Sequence, residues 1–562
     1  MKRYSRREFL QAMGSAGIAS SLLSCAGASE SVGTREQFDL LIRGGSVLDG
    51  TGAGDILADV GIRDGKILAV GNLPGAGADR VIDAAGLKVV PGFIDIHSHV
   101  DLELFLDPRA ESKVRQGVTT EVNGMDGDSP APLGGHGLER SLNGFEDRFG
   151  FPCPYRDMDG FFSALEKNGS AQNIVSFVGL GTVRDVVMGP DDRPPTGEEM
   201  QAMKREVRLA IDHGCWGAST GLEYTPGSFA TTEELWELVK VLPAKYRLYA
   251  THMRNEDDRV LEAIEEALTI ARNAGARLQV SHLKAQNKVN WPKQKRALEM
   301  LEEGLEEGLD VHADRYPYIA FNTGLTNLFP LWSRDGGREK FLARLEDADT
   351  LARIRPEVEK KVRGLSSWNA VMISSVRNEE NKRYQGRTVE HIAEAEGVDP
   401  FGFVVELLMQ ERGRVGMVGF GMDEPGTEMV LAWNNTMVAS DAGPYSPSRA
   451  DSSPHPRAYG TFPRAIAHYQ RDRKITTLPE MIRKMTSLPA QKLGLPGRGR
   501  LAEGYAADVV LFDYARIQDR ATFMDPHQFP AGISTVIVNG TPVVDNGVQN
   551  DRLPGQVIRS SS

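Results

Sequence analysis

The sequence predicts an α/β protein: a (β/α)8 TIM-like barrel with an inserted subdomain, plus a small β-sandwich assembled from both chain ends. Two observations predict it. Short apolar runs broken by Gly and Asp occupy the two ends of the chain, and between them lie eight apolar runs, most followed by a helical period. At 562 residues, 40% hydrophobic and 25% charged, the chain has the composition of an ordinary globular protein and the length for a barrel with insertions.

Residues 1–25 form a segment apart from the fold. Lys2 and Arg3 open a basic region, Ser5-Arg6-Arg7-Glu8-Phe9-Leu10 has the pattern of a twin-arginine export signal, and a short apolar stretch follows. Leu22-Leu23-Ser24-Cys25 resembles a lipobox, in which the cysteine is lipidated; otherwise Cys25 is discarded with the signal. The expected location is therefore outside the cytoplasm, either free in the periplasm or held at the membrane through an N-terminal lipid. Residues 26–37, small and polar, suit a tether.

Residues 38–91 carry strand signals at close spacing: Asp39-Leu40-Leu41-Ile42, Val47-Leu48, Val60-Gly61-Ile62 and Lys66-Ile67-Leu68-Ala69-Val70. Residues 499–555 repeat the style, in Ala507-Asp508-Val509-Val510-Leu511-Phe512 and Thr535-Val536-Ile537-Val538-Asn539-Gly540. Between them, residues 92–498 are the expected barrel. Its eight runs are 89–96, 117–122, 173–178, 216–220, 247–251, 277–281, 308–313 and 437–440. The clearest helix is expected over 259–273, where Val260, Ile264, Leu268 and Ala271 share a face and Gly275 is a stop signal. The gap before the eighth run exceeds one crossover helix, so the Lys-, Arg- and Glu-rich stretch around 325–386 is expected to be an insert beside the mouth.

A net charge of -12 argues against a nucleic-acid partner, which needs clustered Lys and Arg. Cys25, Cys153 and Cys215 fit neither a disulfide framework nor a thiolate zinc site, so any metal must rest on His and carboxylates. The first run ends in Asp95-Ile96-His97-Ser98-His99. On an extended strand i and i+2 point the same way, so His97 and His99 converge as two imidazoles on one cation would. The fifth run ends at His252, the sixth at His282 and the eighth at Asp441, all at the C-terminal face where barrel active sites lie. A lone strand-end His is usually structural, but such a set is not. His136, His213, His312, His391, His468 and His527 lack this placement and receive no role.

These residues resemble those of the amidohydrolase superfamily, and Pro91-Gly92-Phe93-Ile94-Asp95-Ile96-His97-Ser98-His99 resembles its opening motif. Further blocks resemble the N-acyl-D-amino-acid deacylases (D-aminoacylases): Ser219-Thr220-Gly221-Leu222-Glu223-Tyr224-Thr225-Pro226-Gly227, Thr251-His252-Met253-Arg254-Asn255-Glu256, Ser281-His282-Leu283-Lys284, Tyr316-Pro317-Tyr318 and His455-Pro456-Arg457-Ala458-Tyr459-Gly460. The resemblance implies zinc, as one or two ions, with other divalent metals able to substitute. It would place His97 and His99 on one ion, His252 and His282 on the other, and Asp441 as a weak ligand and general base. It implies a small-molecule substrate with a free carboxylate, met by Lys284, Tyr318 and Arg457, with Tyr224 also in the pocket. Linear amides of N-acyl-D-amino acids are the implied substrates; a dipeptidase of the same superfamily and a non-catalytic peptide-binding lipoprotein are the alternatives. One departure stands out. The described deacylases have a metal-binding Cys near the end of the second block, where the ungapped match puts Asp126 in Asn123-Gly124-Met125-Asp126-Gly127. Asp126 either bridges two ions as a harder ligand or merely caps the following loop.

Overall fold

The computed structural model describes residues 37–446 and 452–560. The expected signal with Cys25, and all but the last residue of the tether, lie outside the described residues. Among the described residues no helix is long and apolar enough to cross a membrane.

The middle of the chain is built on parallel strands taken in chain order. Phe93–Asp95, Val118–Asn123 and Asn173–Ser176 form one sheet. Val178–Gly179, Ala218–Gly221, Leu248–His252, Arg277–Val280, Val311–Arg315 and Thr436–Val438 form a second. The sheets are bonded to each other at both ends. Trp216 N–H donates to the Ser176 carbonyl at 2.9 Å, and Asp441 N–H donates to the His97 carbonyl at 2.8 Å. All six residues of Val118–Asn123 are buried, as expected of a parallel strand covered on both faces.

Helices between the strands follow from their apolar period. Val260–Ala274 buries Val260, Ile264, Leu268 and Ala271, and Gly275 ends it in the left-handed region at φ +63°. Gly197–Asp212 starts in a capping box between Thr196 and Glu199. Beneath the first and last strands, buried Lys113 donates to Asp95 at 2.5 Å and to Ser440, while Asp95 also accepts from Ser440 N–H at 2.9 Å. This network fixes the strand ends that carry His97 and Asp441. Burial pushes the nearby Glu121 carboxyl up to about 8, against the pull of Lys113.

Strands from both chain ends hydrogen-bond into one nine-stranded sheet, and residues of both ends, among them Leu40, Val60, Ile67, Val509 and Ile537, share one apolar core. The reason lies in Gln37–Val47, which pairs with Gly77–Asp83 through its first part and with Lys88–Pro91 through its last, across an irregularity between Ile42 and Gly45. Val509–Phe512 then pairs antiparallel with Lys88–Pro91, setting Val510 opposite Val90.

The insert is larger than the expected 325–386. Its antiparallel sheet joins Phe321–Gly324, Val371–Ser375 and Gly416–Gly419, with the last of these in the centre. Its separate apolar core runs from Tyr316 to Met422 and includes Phe341, Ile354, Leu407 and Met417. The central strand is four residues long and bounded by glycines, so no period marks it in the sequence.

Candidate active site

The parallel strands deliver their chemistry at one end. His97 and His99 follow Phe93–Asp95, Asp126 follows Val118–Asn123, and His252 closes Leu248–His252. His282 follows Arg277–Val280, and Asp441 follows Thr436–Val438. Asp126, His282 and Asp441 have φ of +54°, +35° and +50°, a region non-glycine residues rarely occupy, and such strain gathers at functional sites.

Ligand atoms of His97, His99, Asp126 and Asp441 all lie within 4.8 Å of one another, as do those of Asp126, His252 and His282. Asp126 belongs to both groups. Its Oδ1 is 3.3 Å from His97 Nε2, and its Oδ2 is 3.4 Å from His282 Nε2 and 3.7 Å from His252 Nδ1. Asp441 Oδ1 lies 3.0 Å from His99 Nε2 and 3.6 Å from His97 Nε2.

This donor set fits metal. His97 Nε2 and Asp126 Oδ1 are buried with no hydrogen-bond partner among the described residues, and His252 Nδ1 meets His282 Nε2 at 2.9 Å. A cation at these points satisfies the buried acceptors. The charges agree. Burial pushes the carboxyls of Asp126 and Asp441 up, yet His97 and His282 beside Asp126, and Arg457 and His97 beside Asp441, hold both well below the usual carboxylate range.

The supporting residues include three that no periodic signal marks. Asp314, fully buried, accepts from His97 Nδ1 at 3.2 Å and from His282 N–H at 2.8 Å through Oδ1, and from Gln279 at 2.7 Å through Oδ2. With Nδ1 donating to Asp314, His97 presents its Nε2 lone pair to the site. Glu256 accepts from Lys284 at 2.6 Å and lies 2.9 Å from His282 Nδ1; burial raises its carboxyl, but Lys284 and His282 bring it down to about 2. Glu223 faces His252 Nε2 at 3.7 Å. Asp314→Asn is expected to weaken metal binding about 10–100-fold, as losses of such orienting partners do. Chelator competition measures this, and an unchanged affinity would leave Asp314 a purely structural role.

The match to known proteins extends over nearly the whole chain. Residues 80–148 and 386–544 match the model of the Amidohydrolase family. The D-aminoacylase of Alcaligenes xylosoxydans xylosoxydans is 34% identical over 523 residues, covering 93% of this chain and 98% of that one. The chain belongs to the D-aminoacylase family. The N-acyl-D-glutamate deacylase of the same organism is 35% identical over 528 residues, covering 93% and 97%. The crystal structure of N-acyl-D-glutamate deacylase from Bordetella bronchiseptica, with zinc and a phosphonate mimic of the tetrahedral intermediate, superposes with a TM-score of 0.79 at 32% identity, covering 93% of this chain and all of that one.

Set beside the D-aminoacylase pattern, the remaining expected residues divide. Lys284, Tyr224 and Arg457 line a cavity of about 1340 Å³ together with His99, Asp126, His252, His282 and Asp441. Arg457 donates to Asp441 Oδ2 at 2.7 Å and keeps its buried Nε without a partner among the described residues. The Tyr224 hydroxyl meets Thr323 of the insert at 3.3 Å, and its ring lies 4.7 Å from that of His252. Tyr318 is placed differently. It does not line the cavity; its hydroxyl donates to the Pro456 carbonyl at 3.4 Å and its ring lies under Arg464. Tyr316 lines the cavity instead, with the Arg457 guanidinium 4.6 Å from its ring. An extended Tyr316-Pro317-Tyr318 would face both rings one way, but the chain bends at Pro317, with Tyr318 N–H donating to the Tyr316 carbonyl at 3.0 Å.

Proposed function

We propose that this protein hydrolyses N-acyl-D-amino acids to a carboxylate and a free D-amino acid, with zinc as the working cation. The observation that carries the reading is the convergence of His97, His99, Asp126 and Asp441 in one donor group and of Asp126, His252 and His282 in a second, all but His97 lining the cavity. The D-aminoacylase likeness supplies the substrate class, and the zinc in the Bordetella relative supports the metal.

Zinc, when bound, supplies Lewis acidity: it makes water a nucleophile near neutral pH and polarises a carbonyl. His97, His99, Asp126, His252 and His282 would hold it, with Asp441 at the edge of the first group. The rest falls to the chain. Asp441, kept ionised by Arg457, takes the proton from the attacking water through Oδ1 and returns it to the leaving amine. Arg457, through its free Nε, and Lys284 offer positive charge to the substrate carboxylate. Tyr316 flanks that clamp in the place expected for Tyr318.

Two further readings accompany the activity. The parallel sheets, bonded at both junctions, are read as one closed (β/α)8 barrel with the site at its C-terminal mouth. The twin-arginine pattern at Ser5–Leu10 supports export, with Cys25 as a lipid attachment point.

A panel of N-acetyl-D-amino acids, their L-forms and dipeptides of both hands tests the activity. Turnover of the D-derivatives is expected, abolished by chelation and restored by zinc. Absence of turnover of every N-acyl-D-amino acid after zinc loading would overturn the proposal.

A further inference from the structure

The cavity that holds the site has a second charged region at its outer part. Arg338, Arg377 and Arg414, all from the insert, line it together with His252, His282 and Asp441. Their convergence follows from the insert's topology. Ser375 pairs with Gly416 in the antiparallel sheet, so Arg377 and Arg414, each two residues beyond that pair, emerge at the same edge. Arg338 stands in the first turn of Gly337–Glu346, and its stem runs beside Gly413. All three arginines are exposed.

None of the three guanidinium groups has an ion pair or a side-chain hydrogen bond among the described residues. Neighbouring acids are largely committed elsewhere: Glu339 pairs with Arg412 at 2.8 Å, and Asp185 with Arg140 at 2.9 Å. Asp147 is the remaining acid facing Arg414. Burial, and then Arg414, Arg140 and Arg377 in turn, pull the Arg338 guanidinium down from its ordinary value. Three cations held together at a cavity rim carry a like-charge repulsion that a bound anion relieves.

The size of the cavity points the same way. At about 1340 Å³ it exceeds the usual range for a drug-sized ligand, and an N-acetyl amino acid fills only a small part of it. The clamp at Arg457 and Lys284 fixes the amino-acid end close to the metal donors. From there the side chain of an amino acid is limited to a few atoms, whereas an acyl chain has no such limit. The group that reaches the rim therefore belongs to the acyl side.

We infer that Arg338, Arg377 and Arg414 form an outer anion subsite that selects N-acyl-D-amino acids whose acyl group ends in a carboxylate or comparable anion. The inference rests on the proposed deacylase reading and adds the acyl class to it.

The test compares wild type with the triple variant Arg338→Gln/Arg377→Gln/Arg414→Gln on three substrates: N-suberoyl-D-leucine, whose acyl carboxylate stands at the end of six methylenes, N-acetyl-D-leucine and N-acetyl-D-glutamate. The triple variant is expected to lower kcat/KM for N-suberoyl-D-leucine about tenfold through KM, an effect that shrinks at high salt, because rim charges contribute modestly and are screened. N-acetyl-D-leucine, which has no second anion, should be unaffected, and that also shows the variant is folded. Unchanged kcat/KM for N-suberoyl-D-leucine overturns the subsite, and so does a loss confined to N-acetyl-D-glutamate, which would assign the arginines to the side chain. If the wild type hydrolyses none of the three, the deacylase reading falls, and calorimetry with N-suberoyl-D-leucine decides the subsite alone. About tenfold weaker binding to the triple variant supports it; equal affinity or no binding overturns it.

Discussion

Asp441→Asn is expected to lower kcat by a factor of about 10²–10⁴, the usual contribution of a positioned general base. Asparagine keeps the shape of the side chain but cannot take a proton from water and return it to the amine. The substitution should leave metal in the group formed by Asp126, His252 and His282, because Asp441 is not one of its donors. It also removes the ionic partner that Arg457 reaches at 2.7 Å, freeing that guanidinium for the substrate carboxylate. KM is therefore expected to hold or fall while kcat collapses. Steady-state kinetics beside metal analysis of the same samples reads both. Retention of more than about a tenth of wild-type kcat would place the proton transfer on another residue.

Removing Asp126 should have the second largest effect, on the metal itself. Asp126 is the residue shared by the two donor groups, with one oxygen toward His97 and the other toward His282 and His252. Asp126→Ala is expected to weaken binding by more than about 100-fold, beyond the range seen when only an orienting partner is lost. The ions bound per chain should fall as well. Asp126→Cys is the informative contrast. A thiolate is a good zinc ligand but a poor one for harder cations, so this variant should keep zinc and lose affinity for manganese relative to wild type. Titration calorimetry and metal analysis of the three proteins measure this. Unaltered stoichiometry and affinity in Asp126→Ala would return Asp126 to the role of a loop cap.

The candidate metal donors were legible because each lies at or within four residues past the end of a strand. Arg247–Thr251 as a run and Leu248–His252 as a strand differ by one residue. The run 89–96, by contrast, joins two different elements. Lys88–Pro91 belongs to the nine-stranded sheet and Phe93–Asp95 to a parallel one, with Gly92 N–H bonded across to the Asp508 carbonyl between them. Hydrophobicity is continuous through that junction and carries no record of which sheet takes each half. Asp314 illustrates a second limit. It lies one residue beyond the seventh run, with nothing in its spacing to separate it from a surface acid, although it orients His97 and His282 from full burial. Lys113 and Glu256 were hidden for the same reason: partners distant in sequence give them their roles. Tyr316 and Tyr318 show a third, since strand alternation holds only while the chain stays extended, and the bend at Pro317 ends it.

The pairing of Val90 with Val510 has a consequence in time. About 420 residues separate the two, and at about 5–20 residues per second roughly 20–80 s of synthesis pass before the partner strand exists. During that interval Lys88–Pro91 presents an unpaired, apolar edge beside a middle region already able to condense. The closing strands therefore set the clock for the fold, and the early edge stays open to wrong partners until they arrive.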